Sequence, residues 1–193
     1  KNRVHQMSAA LGLVQLKYYN DTIKEIDKAM NYFWDLLEDY PGILAHRPEK
    51  GSNTTKGGWY FPLGHYRSEE LGGLSITRFC EALQAEGVNS SPGCNKALHQ
   101  HPLFNTIDIY DEGKPTVISK ANKDVRKMYK ELPVAEGIQE KVFTIPLFYR
   151  YKPSIIKEYA NAFKKVINNY KDLLLEDKGN PKDIGGWALS ARR

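Results

Sequence analysis

Residues 13–37 read LVQLKYYNDTIKEIDKAMNYFWDLL, and their apolar side chains recur at intervals of three, four or seven positions. Because an α-helix has 3.6 residues per turn, this spacing predicts an apolar stripe along one long helical segment. The stripe consists of Leu13, Leu16, Ile23, Ile26, Met30, Phe33 and Leu37. The pair Asn20-Asp21 is a candidate break that would divide the segment into two helices, and Pro41-Gly42 predicts its end.

Strand and helix patterns alternate after this segment. Residues 49–58 are rich in Gly, Ser, Asn and Thr and predict a loop. Residues 59–63 are dense in aromatic and apolar side chains and predict a strand. Pro62 indicates a strand at the edge of a sheet, where a missing N–H is tolerated. Ser75 as N-cap and Gly87 at the carboxyl end predict a short helix between them.

The middle of the chain is more weakly patterned. Residues 88–91 predict a short strand, and residues 98–104 predict an irregular segment interrupted by Pro102. Residues 107–133 are charged and predict a loop, in which residues 123–132 have the composition of a helical turn or two. We expect much of residues 107–133 to be a mobile loop.

The last third returns to regular patterns. Residues 134–140 predict a helix, residues 142–148 a strand rich in β-branched and aromatic side chains, and Ser154 the N-cap of a final helix. The apolar stripe of that helix consists of Ile155, Tyr159, Phe163, Val166 and Ile167. The alternation of helices and strands predicts an α/β or α+β layer with helices covering a small sheet.

Composition excludes several classes of protein. The chain has 193 residues, of which 41% are hydrophobic and 26% charged, as in an ordinary globular domain. No apolar run approaches the roughly 18 residues of a membrane span. The net charge is +5, and the Lys and Arg residues alternate with Asp and Glu along the chain rather than forming a basic block, which argues against nucleic-acid binding. Cys80 and Cys94 form no disulfide framework, so we expect a reducing, cytoplasmic location.

Four short blocks carry a resemblance to a known family. They are Arg3-Val4 leading into residues 9–16 (AALGLVQL), residues 98–104 (LHQHPLF), residues 133–136 (PVAE) and residues 145–148 (IPLF). Their order and spacing resemble the carboxyl-terminal part of the sugar aminotransferases of the DegT/StrS type. These are fold-type-I enzymes that depend on pyridoxal 5'-phosphate (PLP).

The resemblance implies a domain organisation. Residues 1–20 are expected to be a remnant of the large PLP domain and the interdomain helix, residues 21–176 the small carboxyl-terminal domain, and residues 177–193 a tail. The chain begins with Lys1 and runs at once into a helical pattern, so we expect a longer natural protein. No lysine of the chain matches the family's Schiff-base lysine, so the chain alone is expected to be inactive. We also expect residues 9–16 to expose an apolar face that the large domain would cover.

Cofactor contacts implied by the resemblance lie at the amino terminus. In the family, an Asn shortly before the Ala-Ala helix reaches the cofactor phosphate of the other subunit of a homodimer. Here Arg3 matches the family pattern, Lys1 occupies the Asn position, and Asn2 lies one residue later. Both an ammonium and an amide N–H can donate to phosphate, so Lys1, Asn2 and Arg3 are the candidate cofactor-binding residues.

His99 matches the histidine that the family places at the substrate end of its active site. A neutral imidazole can donate to a sugar hydroxyl, although a histidine in such a loop can equally fasten the loop itself. His101 follows at a spacing that raises the question of a metal, but no third ligand has suitable spacing, so we expect none. Cys94 stands where many relatives have Tyr, and we expect a thiol without a nucleophilic role. Trp59, Tyr60 and Phe61 are interpreted as packing residues.

The function implied for the intact protein is transfer of an amino group from glutamate or glutamine to a nucleotide-linked keto-sugar or keto-cyclitol. A second reading within the family is a PLP-dependent sugar dehydratase, in which His replaces the Schiff-base lysine. A reading of another class is a non-catalytic interaction module, which would bind nucleic acid in a strongly salt-dependent manner.

Overall fold

The computed structural model describes residues 4–124 and 131–185. Helix α1 spans Gln6–Asp35, 30 residues, and His5 caps it by accepting the N–H of Met7 on Nδ1 at 3.3 Å. The predicted break at Asn20-Asp21 is wrong, because the helix runs through both residues. Neither is Gly or Pro, and each costs at most about 0.7 kcal/mol of helix propensity when its side chain faces water.

The apolar stripe of α1 is only half buried. Ile26, Met30 and Phe33 are buried and belong to the core. Leu13 and Leu16 are each 66% exposed, and every residue from position 4 to position 20 is exposed. The amino-terminal half of α1 therefore projects away from the core, as expected for residues 9–16.

The described residues form an antiparallel three-stranded sheet in the order β1-β2-β3, with β1 at Ile43–Ala45, β2 at Leu63–Tyr66 and β3 at Val142–Thr144. The sequence did not predict β1. The strand predicted from Trp59 to Leu63 is wrong in its residue range, because β2 starts only at Leu63. Its predicted location at the edge of the sheet is also wrong, because β2 is the central strand. Trp59 and Phe61 have φ of +54° and +52°, a left-handed conformation that a strand cannot contain.

Helix α2 at Ile76–Ala85 confirms the predicted short helix. Ser75 Oγ accepts the N–H of Arg78 at 3.1 Å as N-cap, and Gly87 takes the left-handed φ of +84° beyond the carboxyl end. The predicted strand at residues 88–91 is wrong, because none of these residues lies in a strand. Ser91 accepts the N–H of Thr144 at 2.9 Å, and the next residue, Pro92, forms an isolated bridge with Phe143.

The region expected to be irregular contains short helical turns. A 3₁₀ turn at Leu98–Gln100 leads into helix α3 at Pro102–Asn105, and another 3₁₀ turn lies at Thr116–Ile118. The turn proposed for residues 123–132 lies largely outside the described residues. Helix α4 at Pro133–Gly137 continues into a 3₁₀ turn at Ile138–Glu140, which confirms a helical segment there.

Helix α5 at Pro153–Asn168 and the short helix α6 at Tyr170–Leu174 complete the described elements. The N-cap of α5 is Lys152 rather than Ser154, because Pro153 takes the first helical position, where its missing N–H costs nothing. Phe163, Val166 and Ile167 are buried as predicted. Tyr159 is partly buried and packs against Phe148, as the stripe predicts. Ile155 is wrong, because it is exposed, and Ile156 and Ala160 are buried without having been predicted.

Aromatic rings fill the space between the sheet and the helices. Phe163 on α5 packs against Phe33 of α1 at a centroid distance of 5.4 Å, and Phe79 of α2 packs against Phe143 of β3 at 5.5 Å. Burying a side chain of this size contributes about 1.5–3 kcal/mol. Gly64 of β2 lies directly against the rings of Phe143 and Trp34, which leave no room for a side chain. The fold is thus a small sheet covered by helices and preceded by a long helix, as predicted.

The division into residues 1–20, 21–176 and 177–193 stays a prediction. Residues after position 176 nevertheless contact the core. Asp177 binds the amino end of α2, Asn180 Oδ1 accepts from Thr77 Oγ1 at 3.0 Å, and Ile184 is buried. Within the described part of the chain, no helix is both long enough and apolar enough to cross a membrane.

Candidate functional site

His99 lies in the 3₁₀ turn that precedes α3. The amide of Asn105 holds this turn by donating from Nδ2 to the carbonyl oxygens of His99 at 2.6 Å and His101 at 3.0 Å. His101 caps α3, since its Nδ1 accepts the N–H of Leu103 at 3.0 Å. The two histidines of the His-x-His pattern therefore have different partners. Backbone contacts fasten the loop through Asn105 and His101, which leaves the ring of His99 available for another role.

The ring of His99 contacts Glu136 at the end of the PVAE block. Nε2 of His99 lies 2.7 Å from Oε1 of Glu136, and the same oxygen accepts the N–H of Leu132 at 2.9 Å. The Leu132 N–H, with His99 second, lowers the pKa of Glu136, so this carboxylate is ionised at neutral pH. An ionised carboxylate only accepts, so Nε2 must carry the proton and donate. In a neutral ring, Nδ1 then remains an acceptor.

This contact joins two of the four sequence blocks, which are 37 positions apart. The side chains of His99 and Glu136 are 30% and 29% exposed, so solvent reaches both. An imidazole oriented by a carboxylate can accept a hydrogen bond from a ligand hydroxyl. The geometry therefore suits a polar, hydroxylated ligand.

A cleft of about 370 Å³ adjoins Glu136. Its charged lining residues are Lys96, Lys182, Glu136, Glu140 and Asp183, which are two ammonium and three carboxylate groups. Lys96 is paired with Asp183. A phosphate placed here would meet a net negative surface, so the cleft does not fit the phosphate of PLP. Hydroxyl groups would find both donors and acceptors.

Cys94 is held by a residue that sequence reasoning missed. The N–H of Cys94 donates to Gln139 Oε1 at 2.9 Å, and Gln139 Nε2 donates to the carbonyl of Asn95 at 2.9 Å. Gln139 is 8% exposed. Its two hydrogen bonds connect the segment at Cys94 and Asn95 to the turn that follows α4. Burial raises the pKa of Cys94, so the thiol is not activated as a nucleophile. No spacing in the sequence singles out this glutamine.

The aromatic segment divides into a packing residue and two exposed ones. Trp59 is 1% exposed and donates from Nε1 to Asp27 Oδ1 at 2.9 Å, which agrees with a packing role. Tyr60 is 96% exposed and Phe61 is 51% exposed, so the packing interpretation is wrong for these two. The left-handed backbone at Trp59 and Phe61 turns Tyr60 outward.

The remaining site predictions are not tested. Lys1, Asn2 and Arg3 lie outside the described residues. Among residues 4–124 and 131–185, no three His, Cys, Asp or Glu side chains are grouped so that they could hold a metal ion.

Comparison with known proteins gives a family and a fold. A model of the DegT/DnrJ/EryC1/StrS aminotransferase family matches residues 1–164. A search of curated proteins finds no match. Among solved structures, an aminotransferase from Psychrobacter cryohalolentis is similar, with 19% identity and a TM-score of 0.64 over 88% of this chain and 40% of the other.

Two dehydratase structures are similar as well. GDP-4-keto-6-deoxy-D-mannose-3-dehydratase from E. coli, with bound hydrated PLP, has 18% identity and a TM-score of 0.50 over 81% of this chain and 34% of its own. A variant of GDP-4-keto-6-deoxymannose-3-dehydratase with bound GDP-perosamine has 17% identity and a TM-score of 0.50 over 81% of this chain and 35% of its own. The chain thus spans well under half the length of these relatives, and at such identities the likeness shows the fold alone.

Proposed function

The chain belongs to the DegT/DnrJ/EryC1/StrS aminotransferase family, and from that premise we propose that the intact protein is a PLP-dependent aminotransferase. It transfers an amino group from glutamate or glutamine to a nucleotide-linked keto-sugar or a keto-cyclitol. The match of the family model over residues 1–164 is the observation that carries this proposal. The contact between the LHQHPLF and PVAE blocks supports it, because two separate parts of the family pattern meet in space.

His99 is the proposed substrate-binding residue, and Glu136 is its positioning residue. Glu136 accepts a hydrogen bond from the Nε2–H of His99 and so fixes the ring and its tautomer. Nδ1 of His99 then accepts a hydrogen bond from a hydroxyl of the sugar. The adjoining cleft offers further donors and acceptors of both charges.

PLP would serve as an electron sink in this chemistry, and residues outside the described part of the chain would hold it. The cleft beside Glu136 does not fit the cofactor phosphate, so we assign no step of the reaction to its lining residues. Lys1, Asn2 and Arg3 are proposed to reach the cofactor of the other subunit in a cytoplasmic homodimer. The proposed Schiff-base lysine is not among the 193 residues.

The test is nitrogen transfer by the intact protein. The protein is incubated with PLP, isotope-labelled glutamate and a panel of nucleotide-linked keto-sugars, and the sugar product is analysed by mass spectrometry. Incorporation of the labelled nitrogen into a sugar supports the proposal. Absence of labelled product with every keto-sugar and keto-cyclitol of the panel, from protein that has bound PLP, would contradict it.

The role of His99 has its own test. His99→Asn is expected to raise the KM for the sugar about tenfold or more, since one hydrogen bond to a polar substrate is lost. The reaction of bound PLP with glutamate alone should be unchanged. His101→Asn is the matched control, because Asn removes an imidazole from the same segment and is itself a good N-cap for α3. Equal sugar KM values in both variants would exclude His99 as a substrate contact.

The dehydratase reading is kept because two of the similar structures are sugar dehydratases. Such an enzyme would remove a hydroxyl group from the sugar and leave no labelled nitrogen in it. The same mass-spectrometric measurement therefore separates the two reactions. The residue at the Schiff-base position, Lys or His, would give an independent answer.

A further inference from the structure

A cluster of basic side chains lies on the outer face of the sheet. His65 is on the central strand β2 opposite Leu44, and His46 follows the last residue of β1. Residues two positions apart in a strand share a face, so His46 and His65 lie diagonally on the face of Leu44. Their ring centroids are 4.9 Å apart and the rings are inclined at 70°.

Lys56 brings an ammonium group to these two rings. Its Nζ donates to the carbonyl oxygen of His46 at 2.6 Å, which fixes the end of the side chain beside β1. The described residues place no carboxylate within 4 Å of Lys56 Nζ. Lys50, in the same loop, differs because its Nζ lies 2.6 Å from Glu38. Lys56 is therefore a partly buried cation without an acidic partner in the described structure.

The charged groups that act on the two histidines from outside the pair are Lys56 and Arg67, while Asp27 and Glu49 line a cleft together with Lys56. Arg67 lies two positions after His65 and therefore on the same side of the chain, and it is paired with Glu70 at 2.9 Å. Glu70 also accepts the N–H of Gly42 at 2.7 Å, so this carboxylate is already engaged. On the neighbouring strand, His65 is opposite the apolar Val142.

The histidines respond to this environment. Burial lowers the pKa of His46, with Lys56 and then His65 as further causes. Burial likewise lowers the pKa of His65, with Lys56 and Arg67 adding to the effect. The pKa of Lys56 is also lowered by burial. Both rings are therefore predominantly neutral at pH 7, and a bound anion would draw protons onto them.

We propose that His46, Lys56 and His65 form a binding site for a phosphoryl dianion, with Arg67 at its rim. The ammonium of Lys56 supplies the charge, and the two imidazoles supply N–H donors at its side. A dianion also compensates the positive charge that has no acidic partner near Lys56. This proposal does not rest on the aminotransferase reaction.

A transition-metal ion is the other ligand that two imidazoles attract. The ammonium of Lys56 repels such a cation, and the described residues offer no third ligand near the pair. The observations therefore favour the anion.

The test is a pH titration of the five histidines by NMR on the whole chain, in inorganic phosphate and in sodium chloride of equal ionic strength. We expect phosphate to raise the pKa of His46 and His65 in a saturable manner and to leave His5 unchanged. Affinity for phosphate should therefore rise as the histidines gain protons and fall again at lower pH, where phosphate itself takes up a proton and is no longer a dianion. A parallel titration with methyl phosphate distinguishes a phosphoryl group attached to a larger molecule from the free phosphate ion. Equal binding of both compounds means recognition of any phosphoryl group, and binding of inorganic phosphate alone means a site for the free ion; either result supports the proposal.

Substitutions locate the site. Lys56→Gln is expected to weaken phosphate binding at least about tenfold, because a charge-assisted contact is lost. Lys24→Gln on the exposed side of α1 removes the same charge as the control and should bind phosphate as the wild type does. Lys56→Arg keeps the charge and should retain binding, which guards against a folding defect in Lys56→Gln. Absence of a saturable shift, equal losses in Lys56→Gln and Lys24→Gln, or a response of His46 and His65 to zinc but not to phosphate would each overturn the proposal.

Discussion

Replacing Asp177 by Ala tests whether the segment beyond residue 176 stabilises the fold. Oδ2 of Asp177 accepts the N–H of Ser75 at 2.7 Å, and Oδ1 accepts the Ser75 hydroxyl at 2.6 Å and the N–H of Gly179 at 2.9 Å. Ser75 is the N-cap of α2, so the carboxylate also lies at the positive end of that helix dipole.

These contacts determine how much Asp177→Ala should lower the free energy of unfolding. Hydrogen bonds to a charged group contribute about 1.5–3 kcal/mol, and the charge at a helix amino end adds about 0.3–1 kcal/mol. Because water reaches the partly exposed Asp177 site and replaces some of this, we expect Asp177→Ala to lower the free energy of unfolding by about 2 kcal/mol. For a chain of this size that corresponds to a fall in Tm of about 4–8 °C.

The pH dependence gives a second readout. Partial burial opposes ionisation of Asp177, but the hydroxyl and N–H of Ser75, the N–H of Gly179 and the Arg78 cation outweigh it and lower the pKa. A lowered pKa in the folded state means that the stabilisation is present above the unfolded value of about 3.9 and is lost as the pH falls through the folded value. Asp177→Asn should flatten the loss of stability below about pH 4.

Thermal unfolding followed by circular dichroism measures both effects. Asp39→Ala is the control, since Asp39 is exposed and its side chain makes no hydrogen bond among the described residues. Equal Tm values for Asp177→Ala and Asp39→Ala, or equal acid profiles for wild type and Asp177→Asn, would refute the reasoning.

Three other predictions concern packing, thiol reactivity and the exposed helix. Gly64→Ala should cost about 1–3 kcal/mol, because its Cβ would lie 2.5 Å from an aromatic carbon of the core, whereas Gly58→Ala, which meets open space, should be neutral in urea unfolding. Iodoacetamide at pH 8 should label the partly exposed Cys94 first, because Cys80 is 1% exposed and burial raises its pKa to about 12; equal labelling rates in intact protein would contradict this. Leu11, 60% exposed on α1, belongs to an apolar face that should promote self-association, so Leu11→Glu should shift sedimentation toward the monomer, and an unchanged profile would contradict this.

Local chemistry made several elements predictable from sequence. Ser75 and Gly87 bound α2 because a hydroxyl acceptor and a residue tolerant of positive φ are required at those positions. The fold class followed from alternating periodicities. The predictions failed where tertiary structure decides. The three residues of β1 are too few for a pattern, and the left-handed turn at Trp59 and Phe61 gives an aromatic run a conformation that its β-propensity does not suggest.

The candidate site was only partly predictable. The resemblance singled out His99, but nothing in the sequence pairs it with Glu136, because the two lie 37 positions apart and meet only through tertiary contacts. Gln139 could not be predicted for the same reason, since its amide binds a segment 45 positions earlier in the chain. Long-range polar partners of this kind are determined by the tertiary structure.

The central claim is that the catalytic lysine of the PLP reaction is not among these 193 residues. The most direct measurement is borohydride reduction of the intact protein loaded with PLP, followed by peptide mapping of the labelled residue. We expect the labelled peptide to come from outside these 193 residues. A label on a lysine of this chain, with Lys56 the first to inspect because burial lowers its pKa, would contradict it.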